Sequence, residues 1–296
     1  MGGDGGVFVT SSKVPLGATY DRPMPLTVTL LGTGNPVPDA HRAGAATLVT
    51  AGERHLLVDA GRGVCLRLAA AGVLPVMLDR VLLTHLHSDH LCDLNDVVTT
   101  HWVMCREPAT LRILGPEGTR DVVDGLSAML RHDVEFRIAH HADLTWAPDL
   151  EVSEVGPGVV VDDGGLRVLA AATEHPPVRP SLAYRFEHDG RSVVVAGDTV
   201  PCAGLDELCR GADVYVQTVL RDDLVRRVAF PRFVDTIEYH STVAQAAQTA
   251  ARAGVRTLVL THQIPTPAAG SAEEWVAIAR AHFDGEIVFG KDLTVV

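Results

Sequence analysis

The sequence has few lysines, no excess of positive charge and no long apolar run. Only two of its 25 basic residues are lysines, Asp and Glu together number 37, and the formal net charge is −12. An acidic balance gives no footprint for nonspecific nucleic-acid binding. Every apolar run falls short of the roughly 18 to 20 residues that a bilayer span requires. These shortages exclude a membrane-embedded protein and argue against a generic DNA-coating protein.

Cysteine is also sparse, with five residues at irregular spacing and no CxxC pair. An odd number of unpatterned cysteines is typical of free thiols in a reducing compartment, so we expect a cytoplasmic location. The missing CxxC pairs argue against a cysteine-based zinc site. What the chain does have is a 47% apolar fraction with 21% charge, which predicts a soluble globular protein with a large core.

The chain divides into a short N-terminal segment and one continuous domain. Residues 1–25 are rich in Gly, Ser and Pro without sustained periodicity, which predicts a flexible extension rather than a secretory signal. From Leu26 to Val296 no linker-like change of composition occurs. We therefore expect a single domain over 26–296.

Apolar strand-like runs alternate with helical stretches along this domain. The strand-like runs lie at 26–31, 45–50, 55–59, 80–84, 111–114, 166–172, 181–186, 192–196, 213–218, 257–260 and 286–289. Helical stretches fit near 61–71, 91–106, 117–131, 242–253 and 271–282. Strands precede helices in both halves, which predicts an α/β (α+β) protein whose two sheets pack face to face, with helices on the outer faces.

Two local signals are specific. Thr242 and Gln245 form a capping box at the start of one helix, and Gly254 stands where that helix should stop. His188-Asp189-Gly190 separates two strand-like runs and predicts a tight hairpin turn.

Metal-ligand side chains concentrate in 84-THLHSDH-90, directly after an apolar run. Imidazole nitrogens and carboxylate oxygens are ordinary zinc ligands. In extended chain His85 and His87 point to the same side, and a turn into the next helix can carry Asp89 and His90 toward a second position. The segment therefore predicts ligands for two metal ions. The alternative is a solvated polar turn, although four such residues seldom cluster without cause.

Further ligands must come from elsewhere, because one segment cannot complete two coordination shells. His175, Asp198 and His262 each lie at or just past the end of an apolar strand-like run. Side chains in such places stand on a rigid scaffold and face a cleft. Either histidine taken alone is more often a satisfied surface or core residue. Beside the first cluster, a metal site becomes the favoured interpretation.

The H-x-H-x-D-H pattern resembles the metallo-β-lactamase superfamily of binuclear metal hydrolases, and within it the ribonuclease Z and arylsulfatase-like branch. The sequence is particularly similar to mycobacterial proteins of the ribonuclease Z type. The matching segments are 30-LLGTGNPVP-38, 57-LVDAGRG-63, 115-GPEG-118, 196-AGDT-199, 239-YHST-242 and 260-LTH-262. The resemblance covers residues 26–296 and implies a four-layer αβ/βα sandwich, a homodimer and a zinc-dependent hydrolase.

The resemblance also implies two Zn²⁺ ions per chain, each with its own ligand set and a shared carboxylate. The seven ligands would be His85, His87 and His175 for one ion, Asp89, His90 and His262 for the other, and Asp198 as the bridge. Zinc lowers the pKa of a bound water to about 7, which would supply a hydroxide nucleophile. Manganese and iron stay open, since imidazole and carboxylate suit them too.

Other matching positions would serve the chemistry without being ligands alone. Asp89 would also orient the attacking water. Asp59 would orient a ligand imidazole, with a plain turn residue as the alternative. His240, ahead of the capped helix, would stabilise the transition state or protonate the leaving group, or else be a helix-entry residue. Arg42 and Thr199 would contact the substrate.

Departures from the ribonuclease Z pattern bear on the substrate. Gln217 and Thr218 stand where that family has a His-Glu pair, which leaves the proton-transfer partner of His240 open. The predicted hairpin turn stands where bacterial ribonuclease Z carries a long tRNA-grasping arm. In the substrate loop 38-PDAHRA-43, the Lys and Asn of the family pattern are lost.

These departures and the acidic charge favour a small or short phosphodiester as the substrate. The alternative is a tRNA 3′-processing endoribonuclease. Hydrolysis of an aryl sulfate, a lactone or another ester is a further alternative, because such a metal pair activates water against several centres. Outside hydrolysis, the fold can hold iron for redox chemistry or serve as a scaffold. The complete ligand set argues against the scaffold.

Overall fold

The computed structural model of the protein describes residues 26–296. The predicted extension at 1–25 lies outside the described residues. Over residues 26–296, thirteen strands form two sheets. Six of them make the first sheet, in the order β1-β2-β3-β4-β5-β6. These strands are β1 Thr27–Gly32, β2 Ala46–Ala51, β3 Arg54–Val58, β4 Leu78–Leu82, β5 Thr110–Gly115 and β6 Asp149–Glu154.

The second sheet has the order β13-β12-β11-β10-β9-β8-β7. Its strands are β7 Gly158–Asp163, β8 Leu166–Ala172, β9 Leu182–His188, β10 Arg191–Ala196, β11 Val214–Leu220, β12 Thr257–Ile264 and β13 Glu286–Phe289. Each sheet is antiparallel in one half and parallel in the other, with β3 to β6 and β10 to β13 as the parallel parts.

Helices lie against both sheets. They are α1 Val64–Ala70, α2 Leu94–Met104, α3 Thr119–His140, α4 Ala203–Cys209, α5 Asp222–Val225, α6 Pro231–Val234, α7 Val243–Ala253 and α8 Ala272–Arg280. Among the described residues, none of these helices combines the length and the hydropathy that crossing a bilayer requires.

Three apolar clusters define the layers. The central cluster joins the inner faces of both sheets, with Val28, Leu56 and Leu82 from one and Tyr184 and Val216 from the other. A second cluster packs α1, α2 and α3 on the first sheet, and a third packs α4, α7 and α8 on the second. Burial of apolar surface between successive layers supplies the main driving force for this arrangement. The predicted four-layer αβ/βα sandwich is confirmed.

Two local predictions are also confirmed. In the capping box, Thr242 Oγ1 accepts from the Gln245 amide at 3.1 Å, and Gln245 Oε1 accepts from the Thr242 amide at 2.9 Å. Gly254 ends α7 in the left-handed region, at φ 66°. Asp189 and Gly190 form a two-residue turn between β9 and β10, with φ of 47° and 73°. The chain therefore carries no arm at this hairpin.

The structure extends the predicted elements in several places. Helix α3 continues nine residues past the predicted end at 131 and stops at His140. The edge strands β6 and β7 and the short helices α4, α5 and α6 were not predicted. Most important for function, the carboxyl ends of the parallel strands in each sheet meet at one edge, where the predicted ligands lie.

Candidate metal centre

The predicted ligand segment begins at the carboxyl end of β4 and turns at once. Ser88–His90 form a single 3-10 turn before α2. His85 and His90 are at most 1% exposed, whereas His87 and Asp89 are half-buried. One side of the segment thus faces the protein interior and the other faces a cavity.

Asp198 lies at the centre of the cluster, two residues past the end of β10. Its Oδ2 is 3.8 Å from His85 Nε2, 3.4 Å from His90 Nε2 and 3.8 Å from His262 Nε2. His175 Nε2 is 4.0 Å from the same oxygen. A carboxylate so placed can reach metal ions on two sides.

Three overlapping groups of candidate metal-binding residues surround this carboxylate, and one of them consists of Asp198, His240 and His262. His85, His87, His175 and Asp198 offer one nitrogen or oxygen each, all within 4.8 Å of one another. The remaining group consists of Asp89, His90 and His262, in which His262 Nε2 lies 3.1 Å from Asp89 Oδ2. The structure therefore brings all seven predicted ligands together in one cluster, and it places His240, a predicted catalytic residue, in the same cluster.

The donor set fits a divalent metal on a separate observation. Four buried polar atoms of the cluster have no hydrogen-bond partner among the described residues: His85 Nε2, His90 Nε2, His262 Nδ1 and Asp198 Oδ1. An unpartnered buried polar atom costs about 1 to 3 kcal/mol of folding free energy. Four such atoms in one cluster therefore indicate that the cluster binds a further partner. Imidazole and carboxylate together are the donors that zinc and other divalent ions take.

The carboxylates of the cluster are held ionised. Burial raises the pKa of Asp198, but His262, His90 and His240 lower it more, and the net pKa lies well below the usual range. Burial also raises the pKa of Asp89, where the hydrogen bond from His262 prevails and the pKa is lowered. An ionised carboxylate is the form that binds a cation.

The imidazoles of His85, His87 and His175 are held neutral. Burial lowers the pKa of His85 well below its ordinary value, lowers that of His87, and lowers that of His175 to about 4. At His90 and His262 burial also lowers the pKa, but Asp198 and the other nearby carboxylates outweigh it and the pKa is raised. Metal binding to those two imidazoles would therefore release protons.

Asp59 orients His90, one of the predicted ligands. Its Oδ2 accepts from His90 Nδ1 at 2.8 Å and from Thr84 Oγ1 at 2.9 Å, while its Oδ1 accepts from the Thr84 amide. With Nδ1 so engaged, His90 directs Nε2 at the cluster. Asp59 and His262 both adopt positive φ, 62° and 46°, an unfavourable conformation for residues with a side chain. Strained backbone of this kind persists where the surrounding structure enforces it, and it is common at functional sites.

Two glycines of the matching motifs allow close approach at the site. A Cβ on Gly61 would meet the backbone of Asp89, and a Cβ on Gly197 would meet the Thr84 side chain. The loop that carries Gly61 docks directly on the ligand turn, since the Ala60 amide donates to the His90 carbonyl at 2.6 Å. The motifs 57-LVDAGRG-63 and 196-AGDT-199 therefore reflect packing around the ligands.

His240 is 4% exposed and lies against the cluster. Its Nδ1 donates to the Thr236 carbonyl at 2.9 Å, and its Nε2 lies 3.1 Å from Asp198 Oδ2. Next to it, the Tyr239 carbonyl accepts from His175 Nδ1 at 2.8 Å. Two backbone carbonyls of one short segment thus orient a ligand and its neighbour. Sequence reasoning missed both, because a carbonyl leaves no residue-type signal.

Gln217 does not fill the place of the missing His-Glu pair. It is fully buried, accepts from the Tyr215 hydroxyl, and donates to the Thr218 carbonyl at 2.8 Å. The group that orients His240 is the Thr236 carbonyl instead.

The two predicted substrate contacts lie outside the cavity wall. The Arg42 guanidinium donates to the Gln263 side chain and to Thr33 Oγ1, and so ties its loop to the residue after His262. Thr199 is fully buried, and its hydroxyl donates to the Val200 carbonyl at 2.7 Å and accepts from the Glu174 amide. Both side chains hold loops of the site, and the structure does not place either one in contact with a bound molecule.

A cavity of about 190 Å³ opens beside the cluster, on the half-buried side of the ligand turn. We call it the side cavity. Its lining residues are Asn35, Pro36, Val37, His87, Asp89, Asp198, Phe233, Thr236, Tyr239, His240 and Ile264. Through it a small molecule can reach His87, Asp89 and Asp198.

The chain matches one protein family over most of its length and is similar to proteins of one name. The family described as "Beta-lactamase superfamily domain" matches residues 54–263, which include all seven predicted ligands. Proteins named ribonuclease Z from Mycobacterium bovis (strain BCG / Pasteur 1173P2) and Mycobacterium avium (strain 104) are 51% and 52% identical to the chain. In both cases the match covers 90% of this chain and 96% of the relative.

Solved structures show the same fold at low sequence identity. The metallo-β-lactamase fold protein YhfI from Bacillus subtilis superposes with a TM-score of 0.73 at 22% identity, over 92% of this chain and 99% of that one. The short form of human tRNase Z superposes with a TM-score of 0.68 at 22% identity, over 91% and 98%. The family and the clustered ligands together identify a metal-dependent hydrolase, and the chain belongs to the metallo-β-lactamase superfamily, within its ribonuclease Z group.

Proposed function

We propose that the chain hydrolyses phosphodiesters with the help of two zinc ions. The observation that carries the proposal is the meeting of two ligand groups at one buried carboxylate, Asp198. A pair of metal ions bound next to each other is the arrangement that in-line displacement at phosphorus uses. We assign His85, His87 and His175 to one ion and Asp89, His90 and His262 to the other, with Asp198 shared.

When bound, the two ions would lower the pKa of a water between them and bind a phosphoryl oxygen. The chain's own residues do the rest. Asp89 lines the side cavity and, as a carboxylate held ionised, accepts a hydrogen bond from the attacking water. His240 lines the side cavity, with its Nδ1 on the Thr236 carbonyl and its Nε2 3.1 Å from Asp198 Oδ2. We assign to this Nε2 the donation of a proton to the leaving oxygen.

Turnover of bis(p-nitrophenyl) phosphate tests this function. We expect activity in the zinc-loaded protein, loss on chelation, and recovery when zinc is returned. His87→Ala and Asp198→Ala should each reduce kcat/KM by at least a hundredfold. His132→Ala is the matched control, because His132 is exposed on α3 and belongs to no ligand group. Unchanged activity in either cluster variant, or a metal content far below two zincs per chain, contradicts the proposal.

A small or short phosphodiester is the substrate class that we propose. The two-residue turn at Asp189 and Gly190 supports it, because that hairpin offers no surface to a long RNA. The net charge of −12 supports it as well, since tight binding of a long polyanion depends on many Lys and Arg contacts to its phosphates. The side cavity also has largely apolar walls and a small volume, which suits a small substrate.

Processing of tRNA 3′ ends is the second candidate. It is favoured by the name ribonuclease Z on relatives that are 51% and 52% identical over 90% of this chain. The homodimer implied by the resemblance stays a prediction, which the solution mass of the purified chain tests.

A further inference from the structure

A second cavity lies between the two sheets, inside the protein core. It measures about 20 Å³ and shares no lining residue with the side cavity. We call it the inner cavity. Much of its polar wall consists of Thr47 on β2, Thr218 on β11, and Thr261 and His262 on β12. The three threonines have no part in the catalytic assignments.

The threonines interrupt apolar rows on the inner faces of their strands. Val216 on β11 and Val259 on β12 belong to the central cluster, and Thr218 and Thr261 stand two positions further along the same faces. These two threonines are direct partners in the pairing of β11 with β12, and Thr47 lines the same space from the other sheet. All three are at most 7% exposed. A buried hydroxyl costs free energy unless it is hydrogen-bonded, so three of them around one space indicate a polar occupant.

His262 has one ring nitrogen in the ligand cluster and one outside it. Its Nε2 lies 3.1 Å from Asp89 Oδ2, whereas its Nδ1 is buried and makes no hydrogen bond within residues 26–296. A histidine that binds a metal almost always donates its other ring N–H to a carboxylate, a backbone carbonyl or a water. His90 has such a partner in Asp59. The Nδ1 of His262 therefore calls for a partner of the same kind.

One water is the occupant that fits the inner cavity. A cavity needs about 10 to 15 Å³ to hold a water, and the water needs two to four polar partners. The inner cavity has about 20 Å³, which excludes a larger organic ligand. Asp59 also lines it, but both of its oxygens are engaged by Thr84 and His90, so a cation finds no free carboxylate there.

We propose that the inner cavity binds one structural water, which accepts a hydrogen bond from His262 Nδ1 and donates to the hydroxyls of Thr218 and Thr261. The two threonines are then positioning residues, which act on the metal centre through the water and His262. This role rests on the proposed function, in which His262 binds a metal ion. It also gives a purpose to Thr218, one of the two residues that replace the His-Glu pair.

Crystal structures of the zinc-loaded protein and its variants test the water directly. We expect one water peak about 2.7 to 3.2 Å from His262 Nδ1 in the wild type. Thr218→Val keeps the shape of the side chain without its hydroxyl and should lose the water, whereas Thr218→Ser should keep it. Thr257→Val is the matched control, because Thr257 is a buried threonine at the other end of β12 that does not line the inner cavity.

Two further measurements test the positioning of His262. Nitrogen NMR of the zinc-loaded wild type should show a proton on His262 Nδ1 that is protected from exchange with solvent. Thr218→Val should speed that exchange and weaken zinc binding by about tenfold, the low end of what loss of a ligand's outer partner costs. Thr218→Ser should restore both properties, and Thr257→Val should leave both unchanged. A loss of packing alone would not be rescued by the hydroxyl of serine.

The outcomes that overturn the proposal are distinct. A wild-type crystal with well-ordered surroundings and no water within reach of His262 Nδ1 overturns the water site. A water that stays in place in Thr218→Val, or wild-type zinc affinity in that variant, overturns the role of Thr218, and Thr261→Val repeats the test if Thr218→Val does not fold. A wild-type protein that binds no zinc overturns the proposed function and the positioning role together, whereas crystals of the metal-free protein still decide whether the water is bound.

Discussion

Asp59 accepts a hydrogen bond from His90 Nδ1 at 2.8 Å, and so a residue outside the predicted ligand set orients one of the predicted ligands. The same carboxylate accepts from the amide and hydroxyl of Thr84, the residue that starts the ligand segment. One side chain thus fixes the tautomer of His90 and the position of the turn that carries His85. Mutation of partners of this kind typically costs about 10- to 100-fold in metal affinity.

Replacing Asp59 should therefore weaken metal binding without unfolding the protein. We expect Asp59→Asn to lose about 10- to 100-fold in zinc affinity and a similar factor in activity at limiting zinc. Titration of the metal-free protein with zinc, followed by calorimetry, measures the loss. The exposed Asp124 supplies the control in Asp124→Asn. Wild-type zinc affinity in Asp59→Asn would show that the hydrogen bond to His90 does not contribute to metal binding.

A side-by-side substrate comparison tests the size argument. We expect nucleotide esters and bis(p-nitrophenyl) phosphate to be hydrolysed efficiently, and 3′-extended tRNA slowly, since the turn at Asp189 and Gly190 offers no arm to hold it. Aryl sulfates and lactones belong in the same comparison, because the metal pair alone does not choose among these centres. Efficient tRNA cleavage with the small esters untouched would reverse the order of the two candidate substrates.

The sequence predicts the layers and the clustering of the His and Asp side chains because both depend on residue type. Apolar runs mark the buried strands, and His and Asp at their ends mark the site. The edge strands β6 and β7 escape notice because their sequences, DLEVSE and GVVVDD, are short, charged and largely exposed. Helix α3 runs beyond its predicted end because residues 132–140 contain neither Gly nor Pro to stop it.

Contacts between distant residues are beyond the reach of sequence patterns. The partner of Arg42 is Gln263, 221 positions away, and only the fold shows that this arginine is engaged in a loop contact. The Thr199 hydroxyl is likewise engaged in hydrogen bonds within the protein, one of them with the Glu174 amide on the loop that carries His175. The orientation of His240 depends on a main-chain carbonyl, which any residue type can supply.

The buried His101 on α2 should make the protein sensitive to acid. It is 5% exposed, and burial lowers its pKa from the ordinary 6.5. The folded state therefore binds this proton less well than the unfolded chain does, and stability present above pH 6.5 is lost as the pH falls below it. One such group changes the free energy of unfolding by at most about 1.4 kcal/mol per pH unit.

Denaturant unfolding at pH 7.5 and pH 5.5 measures this contribution. His101→Gln should lose less stability over that interval than the wild type does, whatever its stability at pH 7.5. The exposed His132 provides the comparison in His132→Gln, which should follow the wild-type pH dependence. Equal acid sensitivity of the wild type and His101→Gln would show that His101 does not cause the loss of stability at low pH.

The cap of α7 links local helix chemistry to the site, because the capping residue Thr242 follows His240 by two positions. Its hydroxyl and the Gln245 side chain satisfy each other's backbone amides, and the preceding Ser241 carbonyl accepts from the Leu220 amide at the end of β11. Thr242→Ala should reduce the free energy of unfolding by about 1 kcal/mol, within a range of about 0.5 to 2 kcal/mol. Thr242→Ser keeps the hydroxyl and should stay near wild type. If the two variants unfold at the same denaturant concentration, the hydroxyl does not stabilise the helix, and packing of its side chain accounts for the loss.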